Sequence, residues 1–208
     1  FSFDKLNYFP EFDMTHVKLL EWDHQINSLA VGVKCASAVT TVSPSYLNEI
    51  NYNANGLESL FNSVRNKSKG ILNGIDIEVW NPLKDQMIAE NYSIENFETG
   101  KQRNKEKLCE QFELDPSKPL FSFIGRLFEE KGGDLLPQAS ALALSEHFED
   151  INILILGSGN SEIESQLTQL RNDYKGNYNV FIGYNEELAH LIYAGSDFIL
   201  MPSRVEPC

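Results

Sequence analysis

The second half of the chain alternates short apolar runs with stretches of helical length. Phe121-Ser122-Phe123-Ile124, residues 151–156, Val180-Phe181-Ile182 and residues 197–201 read as strands. Residues 134–148, 161–174 and 186–194 read as the helices between them, and Pro137 fits only in the first turn of its helix. Apolar strands separated by helices predict βαβ units and a parallel sheet covered on both faces. The expected fold class is therefore α/β, a doubly wound Rossmann-type sheet.

The first third has a different texture. Residues 24–33 read as a helix and residues 38–42, rich in β-branched side chains, as a strand. Ser43-Pro44 then offers an N-cap and a first-turn proline to a helix running through Tyr46 to Ile50. Ile71-Leu72-Asn73-Gly74-Ile75-Asp76 is turn-rich and marks a hinge. Residues 85–100 are polar and read as exposed loop, and residues 101–112 as a charged surface helix whose lysines face solvent. The chain shows no internal repeat and no low-complexity tract.

Composition narrows the classes. The 208 residues suit one or two domains, and 42% hydrophobic content is that of an ordinary globular protein. Cys35, Cys109 and Cys208 show no metal-ligand spacing, and their odd number fits a reducing cytoplasm. No apolar stretch reaches membrane-spanning length, and the chain does not open on a signal peptide. A net charge of −13 argues against nucleic acid as a partner. It also means that an anionic ligand must be held by a few well-placed cations, and Arg126 and Lys131 are the candidates.

Both lie in Gly125-Arg126-Leu127-Phe128-Glu129-Glu130-Lys131-Gly132, directly after a strand. Loops at the carboxyl ends of parallel strands are the usual ligand sites in this architecture. A planar guanidinium and a compact ammonium across one turn could share a pyrophosphate. Ion pairing with Glu129 and Glu130 accounts for the same residues at least as well. Gly157-Ser158-Gly159 is too short for a dinucleotide fingerprint, since the third glycine is missing. It reads as a tight strand-to-helix turn, either close to a nucleotide or purely structural. Tyr184, at the end of the third strand, could stack on a base or cap a core edge. His190, alone on its helix, reads as a packed residue. The chain finishes on Pro202-Ser203-Arg204-Val205-Glu206-Pro207-Cys208, again past a strand. No second carboxylate stands out to make Glu206 half of a glycosidase pair.

That ending resembles the Pro-Ser-Arg-Phe-Glu-Pro-Cys signature of the bacterial-type glycogen and starch synthase family, with Val205 in place of Phe. Arg126 to Gly132 is similar to the family's Arg-Leu-x-x-Gln-Lys-Gly, with Glu130 for Gln, and Leu72 to Asp76 to its Leu-Asn-Gly-Val-Asp hinge. Thr41-Val42-Ser43-Pro44-Ser45-Tyr46 and Gly183-Tyr184 extend the likeness over most of the chain. The resemblance implies a GT-B fold, two Rossmann-like domains flanking a cleft. Residues 1–72 would be the C-terminal portion of the N-terminal, acceptor-side domain. Residues 73–208 would be the hinge and most of the nucleotide-sugar-binding domain.

It further implies transfer of glucose from ADP-glucose, favoured over UDP-glucose by the bacterial-type motifs, to the nonreducing end of an α-1,4-glucan such as glycogen, with retention. No metal and no further cofactor is expected. By the resemblance Arg126 and Lys131 hold the donor phosphates and stabilise the departing diphosphate, while Glu206 contacts the donor sugar. Asn73, Gly125, Gly157, Ser158, Gly159, Tyr184 and Cys208 line the donor site. Because the family's Lys-x-Gly-Gly-Leu loop and the Gly-Leu-Thr helix start that comes after the cysteine are not in this sequence, truncation at both ends is expected, with no activity in these residues alone. A different retaining GT-B glycosyltransferase and a non-catalytic nucleotide- or glucan-binding module remain the alternatives.

Overall fold

The computed structural model describes residues 1–8 and 14–208, and its contacts gather into two units, residues 1–74 with 207–208 and residues 75–206. The first unit contains helix α1 (Val17–Leu20), a hairpin of β1 (Glu21–Trp22) and β2 (Gln25–Ile26), and helix α2 (Ser28–Cys35). Strand β3 (Val39–Thr41), helices α3 (Pro44–Glu49) and α4 (Glu58–Ser63) and strand β4 (Ser68–Gly70) come next. β3 and β4 pair in parallel. Ala30, Val33, Leu57, Leu60 and Val64 form this unit's core.

The expected cap holds at α3, where the Ser43 hydroxyl accepts the Tyr46 amide at 2.9 Å and Pro44 takes the first helical position. The helix expected from residue 24 begins later. Asp23 and His24 adopt φ of 51° and 59°, which closes the β1–β2 hairpin. Asn27 then caps α2 by accepting the Ala30 amide at 3.1 Å. Strand β4 was not foreseen, because Ser68-Lys69-Gly70 carries no apolar side chain and exists as a strand only through its pairing with β3.

The second unit runs α5 (Phe97–Phe112), β5 (Leu120–Leu127), α6 (Leu136–His147), β6 (Asn152–Gly159), α7 (Ser161–Asp173), β7 (Tyr178–Ile182), α8 (Glu186–Gly195) and β8 (Phe198–Ile199). Its four strands lie in the order β7-β6-β5-β8, all parallel. The period-2 geometry of a strand divides the core in two. Leu154 and Leu156 of β6 pack with Leu108, Phe112, Leu188 and Ile192 of α5 and α8. Ile153 and Ile155 pack on the opposite face with Leu136, Leu144, Ile163 and Leu167 of α6 and α7. A sheet buried on both faces must be apolar at successive positions, which is why β6 reads as a continuous run.

Three expectations need correction. The strand expected over residues 197–201 shrinks to two paired residues, because among the described residues β8 bonds only to β5 and forms the sheet edge. Phe198 is consequently 53% exposed. α5 is not simply a solvated face. Lys105 is buried and pairs with Asp197 at 2.7 Å, and Asp197 also accepts the Leu120 amide at 2.7 Å. Lys101 donates to the carbonyls of Tyr193 and Ala194, satisfying the C-terminal end of α8. Finally, residues 85–100 are not all exposed. The Asp85 carboxylate is buried against His190 Nδ1 at 2.6 Å, and Trp80 stacks on that imidazole at 3.7 Å. His190 has the packed role expected of it.

Candidate active site

Because all four strands run in the same direction, their carboxyl ends lie along one margin of the second unit, and most of the sequence-predicted site residues lie on it. Gly125 and Arg126 belong to the last turn of pairing in β5, opposite Gly157 and Ser158 of β6. Lys131 comes after β5, Tyr184 after β7 and Glu206 after β8. Both Gly125-Arg126 and Gly157-Ser158-Gly159, expected just past their strands, are strand residues instead. The glycines meet a packing demand there: a Cβ on Gly157 would stand 2.2 Å from the Gly125 carbonyl oxygen. The turn itself is made by Asn160, whose side chain caps α7 by accepting the Glu162 amide at 2.8 Å.

Lys131 Nζ lies 2.8 Å from Glu206 Oε1, so residues 75 positions apart meet. The lysine holds the Glu206 carboxyl below the usual carboxylate range, helped by a hydrogen bond from the Ser203 side chain. Both side chains are only partly buried and remain open to a ligand. Arg126 behaves as ion pairing alone would have it and is drawn to Glu130. Tyr184 is 85% exposed, which leaves its ring free to stack. The Gly159 amide donates to Glu164 at 2.7 Å, and the first turns of α7 and α8 carry Glu162, Glu164, Glu186 and Glu187. Carboxylates therefore already complement these helix N-termini. Arg126 and Lys131 are the sequence-predicted cations at this margin, paired with Glu130 and Glu206.

Two residues with no sequence-assigned role complete the geometry. Arg204 donates to both carboxylate oxygens of Asp134, at 2.6 and 2.8 Å, and to the Glu129 carbonyl at 2.5 Å. Its hydrogen bonds, aided by its positive charge, hold the Asp134 carboxyl below the usual range, and the same bonds raise the guanidinium in return. Next to this pair, Gly132 adopts φ +68° and approaches the Pro202 carbonyl so closely that a Cβ would sit 2.4 Å from its oxygen. The sequence signal for Arg204 was its place two residues before Glu206. Asp134 gave none beyond its nearness to Lys131. A groove of about 700 Å³ opens beside Arg126, Phe128, Glu130 and Gln166.

Asn73 and Cys208 group with the first unit, and both are exposed. Among the described residues no cluster of three or more His, Cys, Asp or Glu could hold a metal ion, and no helix is long and apolar enough to cross a membrane.

The carboxyl ends of the parallel strands thus carry two cations, Arg126 and Lys131, and the carboxylate Glu206, at the margin where Rossmann-type domains usually place their ligand sites. Residues 1–63 match the starch synthase catalytic domain family, and residues 104–208 match the glycosyl transferases group 1 family. The chain is 90% identical to a glycogen synthase of Flavobacterium johnsoniae over all of its own length and 44% of that protein's. It is 38% identical to a glycogen synthase of Thermodesulfovibrio yellowstonii, over 94% of the chain and 39% of the relative. Among solved structures, the catalytic domain of starch synthase IV from Arabidopsis thaliana, bound to ADP and acarbose, matches with a TM-score of 0.81. That match has 30% identity and covers 91% of this chain and 39% of the other. The chain belongs to the glycosyl transferases group 1 family, with the GT-B fold class, and it spans less than half the length of these relatives.

Proposed function

We propose that these residues form part of a glucan synthase that moves glucose from a nucleotide sugar to the nonreducing end of an α-1,4-glucan with retention. The observation that carries the reading is the Lys131–Glu206 contact of 2.8 Å, which supports assigning the donor phosphate to Lys131 and the donor sugar to Glu206 beside it. The glycogen synthases it resembles, and the ADP held by the starch synthase IV structure, support glucose and ADP as the components of the donor. UDP-glucose is the other donor to test. In this reading residues 1–72 are the last part of an acceptor-side domain. Residues 73–208 are the hinge and most of the donor domain. The protein works in the cytoplasm.

In the reaction the bond between the sugar's anomeric carbon and the phosphate oxygen breaks, and the electron pair leaves with the diphosphate. Arg126 and Lys131 take up that charge, and stabilising a leaving group is commonly a large catalytic term. To do so, Arg126 must exchange Glu130 for phosphate oxygens. The acceptor hydroxyl attacks from the face the diphosphate leaves, and its proton passes to a phosphate oxygen. Glu206 orients the donor sugar and balances positive charge developing at its ring. Tyr184 stacks on the base, and the glycines of β5 and β6 let the donor approach the backbone.

The test is incorporation of labelled glucose into glycogen by a full-length protein carrying this sequence, with ADP-glucose and UDP-glucose side by side. Transfer from either donor is expected, and Lys131→Ala should lower kcat by roughly two orders of magnitude. No transfer from either donor by a protein that still binds nucleotide would refute the reading.

A further inference from the structure

We propose that Arg204 is a positioning residue: with Asp134 it clamps the loop carrying Glu206 to the loop carrying Lys131. The catalytic part of this inference rests on the reading given under Proposed function, whereas the clamp stands on geometry within the second unit. Lys131 belongs to the connection between β5 and α6, and Glu206 to the segment after β8. β8 contributes only two residues to the sheet, so pairing with β5 does little to fix the segment beyond it.

Arg204 supplies the missing constraint. Its guanidinium takes both oxygens of Asp134 and the Glu129 carbonyl, so the loop before α6 is gripped on either side of Lys131. The backbone repeats the attachment, since the Arg204 amide donates to the Glu130 carbonyl at 3.0 Å. Gly132 presses against the Pro202 carbonyl from the same side. A forked, planar donor fixes direction as well as distance, which a single lysine contact cannot do. Arg204 and Asp134 are 46% and 33% exposed at their side chains, so the pair is no part of the core and its loss leaves the unit folded. Its remaining effect is on the register of the two loops, and the Lys131–Glu206 contact is where that register matters.

The charges around Glu206 make the idea separable from a simple field effect. Lys131 faces it directly, Arg204, Asp134, Glu129 and Glu130 lie on the clamped loops, and Arg126 at the end of β5 pairs with Glu130. Asp134→Asn removes a negative charge. By field alone that lowers the Glu206 titration midpoint. If Arg204 positions the loop, the same substitution frees Glu206 from Lys131 and raises the midpoint towards an ordinary glutamate, about 4.3. Arg204→Lys keeps the charge and loses the fork, so it should raise the midpoint as well.

The experiment tracks the Glu206 carboxyl carbon by NMR through an acid titration of this chain, in its unsubstituted form and in both variants. Backbone amide spectra of α6 and β6 serve as the folding control. A midpoint that rises in Asp134→Asn and in Arg204→Lys is the expected result. A midpoint that falls or stays in Asp134→Asn overturns the clamp, whatever the activity. In a full-length protein, Asp134→Asn should lower kcat by roughly tenfold to a hundredfold with KM moved less than about threefold. If the midpoint rises and the unsubstituted full-length protein transfers no glucose, the clamp stands and the glucan synthase reading falls. If the midpoint rises and kcat is unchanged in an active enzyme, the positioning role in catalysis is refuted.

Discussion

Replacing Gly132 by alanine should cost the second unit far more than the same change at Gly176, although both glycines have positive φ. Gly132 has φ +68° and Gly176 φ +93°. In each case an alanine is forced into a backbone region that costs about 1 kcal/mol, partly offset by roughly 0.4–1 kcal/mol from a stiffer unfolded chain. These contributions are shared and cancel in the comparison. A Cβ at Gly176 meets nothing within 4 Å, whereas at Gly132 it would stand 2.4 Å from the Pro202 carbonyl oxygen. A backbone oxygen cannot swing aside as the tip of a flexible side chain can. The loop must shift, at a cost comparable to overpacking a core, about 1–3 kcal/mol.

Urea unfolding measures the difference. The chain has two tryptophans, and Trp22→Phe leaves Trp80 as the sole reporter, in the unit that holds both glycines. With a slope of about 2 kcal/mol per molar urea, Gly132→Ala should unfold at a midpoint about 0.5–1.5 M below Gly176→Ala. Coincident midpoints with equal slopes would refute the claim that the Gly132–Pro202 approach is tight.

Asp134 has a native carboxyl pKa below its unfolded value, so its pairing with Arg204 stabilises fully above about pH 4 and fades as pH falls through the lower native value. The urea midpoint of the second unit should drop over that acid range, and Asp134→Asn should flatten the drop. An unchanged slope against pH would contradict it. Lys105→Ala strands Asp197 beside the Leu120 amide and should cost about 2–4 kcal/mol in the same unfolding assay. Lys105→Met combined with Asp197→Asn should recover most of that, and a double variant no better than the single one would count against the pairing. Burial pushes the Cys109 thiol up to about 11, while Cys35 and Cys208 are exposed. A thiol reagent at about pH 8 should therefore titrate two thiols in the native chain and the third only on unfolding.

The sheet of the second unit was legible because its strands are buried on both faces and announce themselves as apolar runs. β6 and β7 obey this rule, and the helix start at Ser43-Pro44 was equally plain. Legibility failed where a partner distant in sequence decides the outcome. Lys105 looks like any helical surface lysine until Asp197 is brought beside it. Asp134 and Arg204 are 70 positions apart and neither sits in an apolar pattern. Gly157 and Gly159 read as turn residues because glycine usually marks one, yet they keep two parallel strands close. For the candidate site, motif singled out Arg126, Lys131 and Glu206 as residues to look at. What motif could not give was the contact between the last two.

The strand order sets a length. Strands β7 and β8 are the two outer members of β7-β6-β5-β8. Three hydrogen-bonded intervals of about 4.8 Å separate them, a span of roughly 14 Å. This distance is a property of the peptide backbone and does not depend on which side chains line the margin. It fixes where each connection leaves the sheet, but not where Glu206 stands, seven residues past the end of β8. The main chain is the ruler of the sheet itself, and the segments beyond it take their places from side-chain contacts such as that of Arg204 with Asp134.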